Sequence, residues 1–154
     1  MLVFIQTFEI MFILFLISCT TPNVSISYHY STETSFFGVD INGSTMIYTH
    51  LDEDKIREKC STWIQQAPCW DAGDLVSEAA RLTPAEVADL DSLVMNTKNM
   101  ESYSGPDDLR CYPHILVIDG REMTYCSRPD GPSEPEAFAL ITEKIELLVS
   151  EKFG

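Results

Sequence analysis

The first clear alternation of hydrophobic and polar residues begins at Val24. Val24, Ile26, Tyr28 and Tyr30 alternate with serine and histidine residues. A period of two residues, rich in β-formers, predicts a β-strand with one buried face. The sequence therefore predicts that a strand opens the folded part of the chain.

The next alternating segment, residues 36–51, is divided by the dipeptide Asn42-Gly43. Asn and Gly tolerate the positive φ angles of a two-residue type I′ turn, so the segment predicts a β-hairpin. With this dipeptide at the centre of the turn, three opposing pairs share one, mostly apolar face: Ile41 with Ser44, Val39 with Met46, and Phe37 with Tyr48.

A second hairpin is predicted over residues 112–126, where Asp119-Gly120 forms a two-residue turn. The apolar run at residues 115–118 is its buried strand. In this register Cys126 lies opposite Pro113, and Cys111 is the diagonal neighbour of Cys126 on the same face. The hairpin therefore permits a disulfide between these two cysteines.

Two helices are predicted from capping signals. In the first, Thr83 precedes a proline suited to the first helical position, and Glu86 completes a capping box. This helix ends near residues 96–99, and its apolar face consists of Val87, Leu90, Leu93 and Val94. In the second helix Ser133 is the predicted N-cap, with Glu136 three residues later. Its apolar stripe, which predicts packing on the sheet, consists of Phe138, Ile141, Ile145 and Leu148.

Residues 52–73 show no clear periodicity of hydrophobic and polar residues. The charged run at residues 52–55 favours the start of a short helix, whereas Pro68, Gly73 and two cysteines favour a loop pinned by a disulfide. A further strand is predicted over residues 74–82. The predicted fold class is α+β, an antiparallel β-sheet of about five strands with two helices packed on one face, in a single domain over residues 24–154.

An apolar run precedes this domain and ends in Leu16-Ile17-Ser18-Cys19, which resembles the lipobox of bacterial lipoproteins. The resemblance implies a signal peptide over residues 1–18 and lipid, such as palmitate, on Cys19. A tether over residues 19–23 would then hold the domain to the membrane of the cell envelope, at the outer membrane or the periplasmic face if the host has two membranes.

Three alternatives remain for this N-terminal run. It is an ordinary cleaved signal, an uncleaved anchor, or a buried segment of a cytosolic fold. The basic n-region typical of secretory signals is absent, because no Lys or Arg precedes Lys55. A misassigned start codon would account for that absence.

Four cysteines follow Cys19: Cys60, Cys69, Cys111 and Cys126. In an exported chain an even set predicts two structural disulfides, for which three connectivities exist. Spacing favours pairing the first with the second and the third with the fourth. The close Cys-x2-Cys spacing of zinc and redox sites is absent, so we expect no metal site.

The formal net charge of −14 disfavours nucleic-acid binding, which needs cationic contacts to phosphate. No motif of a hydrolase, metallopeptidase or phosphate-binding loop is present, and His29, His50 and His114 are scattered along predicted strands. We therefore expect a protein without a cofactor that is not an enzyme.

The segment that a Cys60–Cys69 disulfide would close is the best candidate binding site. Trp63 lies inside it and Trp70 directly after it. A loop held by a disulfide loses less entropy on binding, and exposed tryptophans are common interface anchors. The alternative is that both tryptophans pack into the core.

The run Leu82-Thr83-Pro84-Ala85-Glu86-Val87, the hairpin after it and the acidic-capped terminal helix resemble, in layout, small bacterial envelope and secreted domains. The emfourin family of metallopeptidase inhibitors has a similar order of elements. The expected function is a non-enzymatic envelope lipoprotein that binds a protein or peptide. A secreted-peptidase inhibitor and a small envelope hydrolase are the alternatives.

Overall fold

The computed structural model describes residues 24–61, 67–100, 112–126 and 134–154. These residues form six strands: β1 (Ser25–Ser31), β2 (Phe36–Asn42), β3 (Thr45–Leu51), β4 (Leu75–Arg81), β5 (His114–Ile118) and β6 (Arg121–Tyr125). They also form three α-helices: α1 (Glu53–Cys60), α2 (Pro84–Asn96) and α3 (Glu136–Phe153). A short 3-10 helix spans Ala72–Asp74.

The strands make one antiparallel sheet in the order β4-β3-β2-β1-β5-β6. The predicted α+β class is confirmed, but the described residues hold six strands where about five were expected, and three helices where two were expected. The sixth strand is β4, which confirms the further strand predicted over residues 74–82, although its Ser, Glu, Ala and Arg residues are weak β-formers. It is a strand because all seven of its residues pair with β3.

The first hairpin has a different register from the predicted one. Ile41 lies opposite Met46 and Val39 opposite Tyr48, so each partner is two residues further along β3 than expected. The two-residue loop is Gly43-Ser44, with a φ of 57° at Gly43. Glycine at the first loop position is the pattern of a type II′ turn, which competes with the type I′ turn. A shift of two residues preserves the faces, so Val39, Ile41 and Met46 are buried as predicted.

The second hairpin is confirmed in both turn and register. Asp119 and Gly120 have φ angles of 49° and 80°, both positive as a type I′ turn requires. Ile118 lies opposite Arg121, and Leu116 opposite Met123. The Asp119 side chain also accepts a hydrogen bond from the backbone N–H of Ser25, which ties this turn to β1.

The hydrophobic core lies on one face of the sheet, under α2 and α3. The predicted stripe of α3 is confirmed, since Phe138, Ile141, Ile145 and Leu148 are at most 1% exposed. In α2, Leu90 and Val94 are buried, while Val87 and Leu93 are partly buried against the core. The strand residues in the same core cluster are Ile26, Tyr28, Val39, Ile41, Met46, Leu116, Ile118, Met123 and Tyr125.

The start of α2 is confirmed and the start of α3 is not. Thr83 and Glu86 form the predicted capping box, with proline in the first turn. Helix α3 begins at Glu136, with Pro135 at the N-cap position and no side-chain cap. The predicted cap, Ser133, lies outside the described residues. A proline disfavours helical backbone in the residue before it, which keeps Glu134 out of the helix.

Candidate binding site

The Cys60–Cys69 disulfide is present, as predicted. The segment after it is tied to the β1–β2 connection, because Cys69 N–H donates to the carbonyl of Glu33 and the Trp70 indole N–H donates to the carbonyl of Thr32. The Trp70 ring also lies edge-on to Phe36, with ring centroids 5.5 Å apart. Trp70 is therefore half-buried, and its polar group is used within the protein.

Charged side chains hold α1 against the residues that follow the disulfide. The Lys59 ammonium is 3.0 Å from the Asp71 carboxylate, and it also bonds Asp74. These bonds lower the pKa of both carboxyls and raise the pKa of Lys59. These three charges are therefore paired within the protein, which favours a structural role for the residues that follow the disulfide.

Several predicted site residues lie outside the described residues: Cys19, Trp63 and Cys111. Cys126 is disulfide-bonded, but its partner is also outside the described residues. The Cys111–Cys126 pairing, lipidation of Cys19 and the binding role of the two tryptophans therefore stay predictions.

A continuous row of five rings crosses four adjacent strands on the helix-bearing face of the sheet. We call it the aromatic row; from β5 to β3 it consists of His114, Tyr30, Phe37, Tyr48 and His50. Successive ring centroids are 4.5, 5.1, 5.3 and 4.8 Å apart. All five side chains are half-buried, so the row offers ring surface to solvent beside the core.

Strand register creates this row. Tyr30 lies directly opposite Phe37, and Phe37 directly opposite His50. Residues opposite each other in antiparallel strands share a face, which brings rings from distant parts of the chain into contact. Tyr28 and Phe153 support the row, with centroids 5.7 Å from Phe37 and 5.5 Å from Tyr48, respectively.

Carboxylates flank both ends of the row. At the β3 end, Glu78 Oε1 is 3.2 Å from His50 Nε2. At the β5 end, the exposed Glu146 carboxylate accepts a hydrogen bond from Tyr28. Burial raises the pKa of Tyr30, and Glu146 adds to the effect. Burial likewise raises the pKa of Tyr48, with contributions from Glu78 and Glu53. The two tyrosines of the row are therefore neutral, and the carboxylates give the row a negative field, which attracts cations.

His114, Tyr28 and Glu146 form a short hydrogen-bonded chain. Tyr28 Oη is 2.7 Å from His114 Nδ1 and 3.3 Å from Glu146 Oε1. Because a phenol has one proton, both bonds form together when His114 Nδ1–H donates to Tyr28 and Tyr28 donates to Glu146. Burial lowers the pKa of His114 and raises that of Tyr28, so both are neutral near pH 7. The chain orients the His114 ring for stacking on Tyr30.

No local pattern in the sequence identifies this site. His50 and His114 lie at separate strand positions, and the tyrosines lie on strand faces that the alternation predicts to be buried. The alternation of aromatic residues along β1 and β3 was a usable signal, but the alignment of four strands was needed to connect them. Tyr30, Phe37 and Tyr48 are thus site residues that the sequence patterns alone do not identify.

Other site types receive no support within the described ranges. Residues 24–61, 67–100, 112–126 and 134–154 contain no group of three or more His, Cys, Asp or Glu side chains placed to hold a metal ion. In the same ranges, no helix has the length and apolarity needed to cross a bilayer.

Comparison with protein-family models, with curated proteins and with solved structures finds no match to this chain.

Proposed function

We propose that this protein is a non-enzymatic binding module that recognises a basic segment of a partner protein. The observation that carries this proposal is the half-exposed aromatic row with carboxylates at both ends. The carboxylates attract lysine and arginine side chains, and the alkyl stems of these side chains pack on the exposed ring surface. The net charge of −14 also favours a basic partner over an acidic one.

The His114–Tyr28–Glu146 chain favours this function over the hydrolase alternative. A buried tyrosine whose pKa is raised is a poor nucleophile, because the reactive phenolate is disfavoured. A hydrolase that uses a side-chain nucleophile needs that group within hydrogen-bond reach of its base, and the side chain bonded to His114 is this tyrosine. The chain instead holds one ring of the aromatic row in place.

We also propose that the module works outside the cytoplasm on a lipid anchor at Cys19. The lipobox-like sequence supports this, and the Cys60–Cys69 disulfide is typical of oxidising compartments. The test is metabolic labelling of expressing cells with an alkyne fatty acid. We expect label on the parent protein and none on Cys19→Ala; an unlabelled parent protein contradicts the anchor.

The binding proposal is tested by calorimetric titration of the purified, oxidised protein with two short peptides. One has a central lysine within alternating threonine and valine, and the other has glutamate in its place. We expect the lysine peptide to bind more tightly, and its affinity to fall as salt is raised from about 50 mM to about 500 mM. Equal affinity for both peptides would contradict the proposal.

Replacing one ring of the aromatic row tests whether the peptide binds there. Tyr48→Leu keeps an apolar side chain but removes the ring and part of the surface on which a basic side chain packs, and we expect it to weaken binding of the lysine peptide by about 0.5–1 kcal/mol. Tyr112→Leu is the matched control, because Tyr112 is an exposed tyrosine that bonds Glu33 outside the row. The same loss in both variants would show that the row is not the binding surface.

A further inference from the structure

The edge strand β4 borders the β3 end of the aromatic row. All seven of its residues pair with β3 on one side. On the other side, β4 has no neighbour among the strands that the structure describes, because it is the first in the sheet order. Glu78 lies on this strand directly opposite Tyr48, next to His50. The edge is therefore continuous with the proposed binding surface.

Two hydrogen bonds that bracket β4 show which of its backbone groups face outward. Asp52 N–H donates to the carbonyl of Asp74 before the strand, and Leu82 N–H donates to the carbonyl of Ser44 after it. Backbone groups alternate in direction along an antiparallel strand, so even-numbered residues bond to β3. The hydroxyls of Thr49 and Ser77 are 2.8 Å apart, as expected for a closely spaced pair without backbone bonds. The odd-numbered residues of β4 therefore direct their N–H and C=O groups away from the sheet: Leu75, Ser77, Ala79 and Arg81.

This edge lacks several of the features that normally protect one. Natural edge strands are blocked by proline, charged side chains (lysine above all), bulges or very short length. Strand β4 has seven residues, contains no proline or lysine, and pairs with β3 without interruption; its two charged residues are Glu78 and Arg81. Ser77 and Ala79, at its centre, are exposed and small, so a second backbone can approach closely.

We propose that the basic partner segment binds here as an additional β-strand, hydrogen-bonded to the outward backbone groups of β4. This inference rests on the proposed function and gives its binding mode. Strand addition supplies affinity through the main chain and specificity through alternate side chains. A second copy of this chain is the disfavoured occupant, because each copy carries a net charge of −14.

The register of β4 defines the pattern that the partner must present. Because the odd-numbered residues form the hydrogen-bonded pairs, Glu78 occupies a close, non-hydrogen-bonded position in an antiparallel addition. A lysine or arginine opposite Glu78 therefore meets its carboxylate directly. Strands are about 4.8 Å apart, so a long basic side chain also reaches across β4 towards the stacked rings of Tyr48 and His50. Val76 and Ala80 on the same face fit apolar partner residues.

A proline substitution in β4 tests strand addition without removing a hydrogen bond between β3 and β4. The N–H of Ala79 points outward, so Ala79→Pro removes a docking donor while the β3–β4 hydrogen bonds stay intact. We expect it to bind the lysine peptide about 10-fold more weakly. Ala79→Val keeps the donor and is the matched control, with affinity near that of the parent protein. Unchanged affinity in Ala79→Pro would overturn strand addition.

Hydrogen exchange on the parent protein gives an answer even if the proline variant folds poorly. We expect the lysine peptide to slow exchange at the N–H groups of Ser77, Ala79 and Arg81. The N–H groups of Glu78 and Ala80 are protected already by bonding to β3 and should change little. Peptide binding without new protection at the odd-numbered residues would also overturn the inference.

The outcomes separate this inference from the proposed function. If the lysine peptide binds but Ala79→Pro binds it equally well, basic-peptide recognition stands and strand addition is wrong. If the parent protein does not prefer the lysine peptide, the proposed function itself is wrong. If sedimentation shows a dimer that Ala79→Pro converts to a monomer, the edge serves self-association and the basic occupant is overturned.

Discussion

Glu86 links the start of α2 to the end of α3, and its removal gives a measurable prediction. One carboxylate oxygen accepts from the backbone N–H of Thr83 at 2.6 Å, and the other is 2.8 Å from Lys152 Nζ. These two bonds lower the pKa of Glu86 from 4.5 to about 2, with the Lys152 bond as the larger cause. Glu86→Gln keeps an acceptor for Thr83 but loses the charge that faces Lys152.

The pKa shift sets the size of the effect. At about 1.36 kcal/mol per pH unit, the shift gives a ceiling of about 3 kcal/mol. The side chains of Glu86 and Lys152 are 17% and 22% exposed, so solvent screening reduces the contribution. We expect Glu86→Gln to lower the free energy of unfolding at pH 7 by about 1–2 kcal/mol.

The pH dependence follows from the sign of the shift. A carboxyl whose pKa is lowered by folding stabilises the folded state above its unfolded pKa, and this stabilisation is lost as pH falls towards the folded pKa. Urea unfolding should therefore show a constant difference between Glu86→Gln and the parent protein above about pH 5.5. The difference should shrink as pH falls from 4.5 towards 2.

A second ion pair between the same helices is the control. Lys144 Nζ is 3.1 Å from the Asp89 carboxylate, whose side chain is 64% exposed. Asp89→Asn should lower the free energy of unfolding by less than about 0.5 kcal/mol. An equal loss in both variants, or a Glu86→Gln difference that persists at pH 2.5, would refute the reasoning.

Three further predictions concern the disulfide, a turn and a histidine. Replacing Cys60 and Cys69 by serine together opens a loop with a sequence separation of 9 and should lower the free energy of unfolding by about 2–3 kcal/mol in urea titrations; no change would contradict a structural role. Gly120→Ala should lower the melting temperature and cost about 1 kcal/mol, because φ is 80° although no atom lies within 4 Å of the added Cβ. The His114 ring should titrate below pH 6.5 in NMR spectra, since burial lowers its pKa, and its contribution to stability should fall as pH drops through 6.5. A midpoint above 6.5 would contradict this burial effect.

Local sequence signals determined much of this fold. The Asp119-Gly120 turn set the register of its hairpin, because both residues tolerate positive φ. The capping box at Thr83 and Glu86 set the start of α2, because its two bonds form within one helical turn. Each of these features depends on residues that are close together in the chain, so the local sequence specifies all the groups that interact.

Tertiary structure decided the rest. Strand β4 has weak β propensity and exists through its pairing with β3, and the first hairpin settled into a register that no local turn rule distinguished. The aromatic row joins the ring of His114 to the rings of Tyr30 and Phe37, which lie far from His114 in the sequence. Their contact depends on the order and alignment of four strands, which is a property of long-range pairing and is absent from any local pattern.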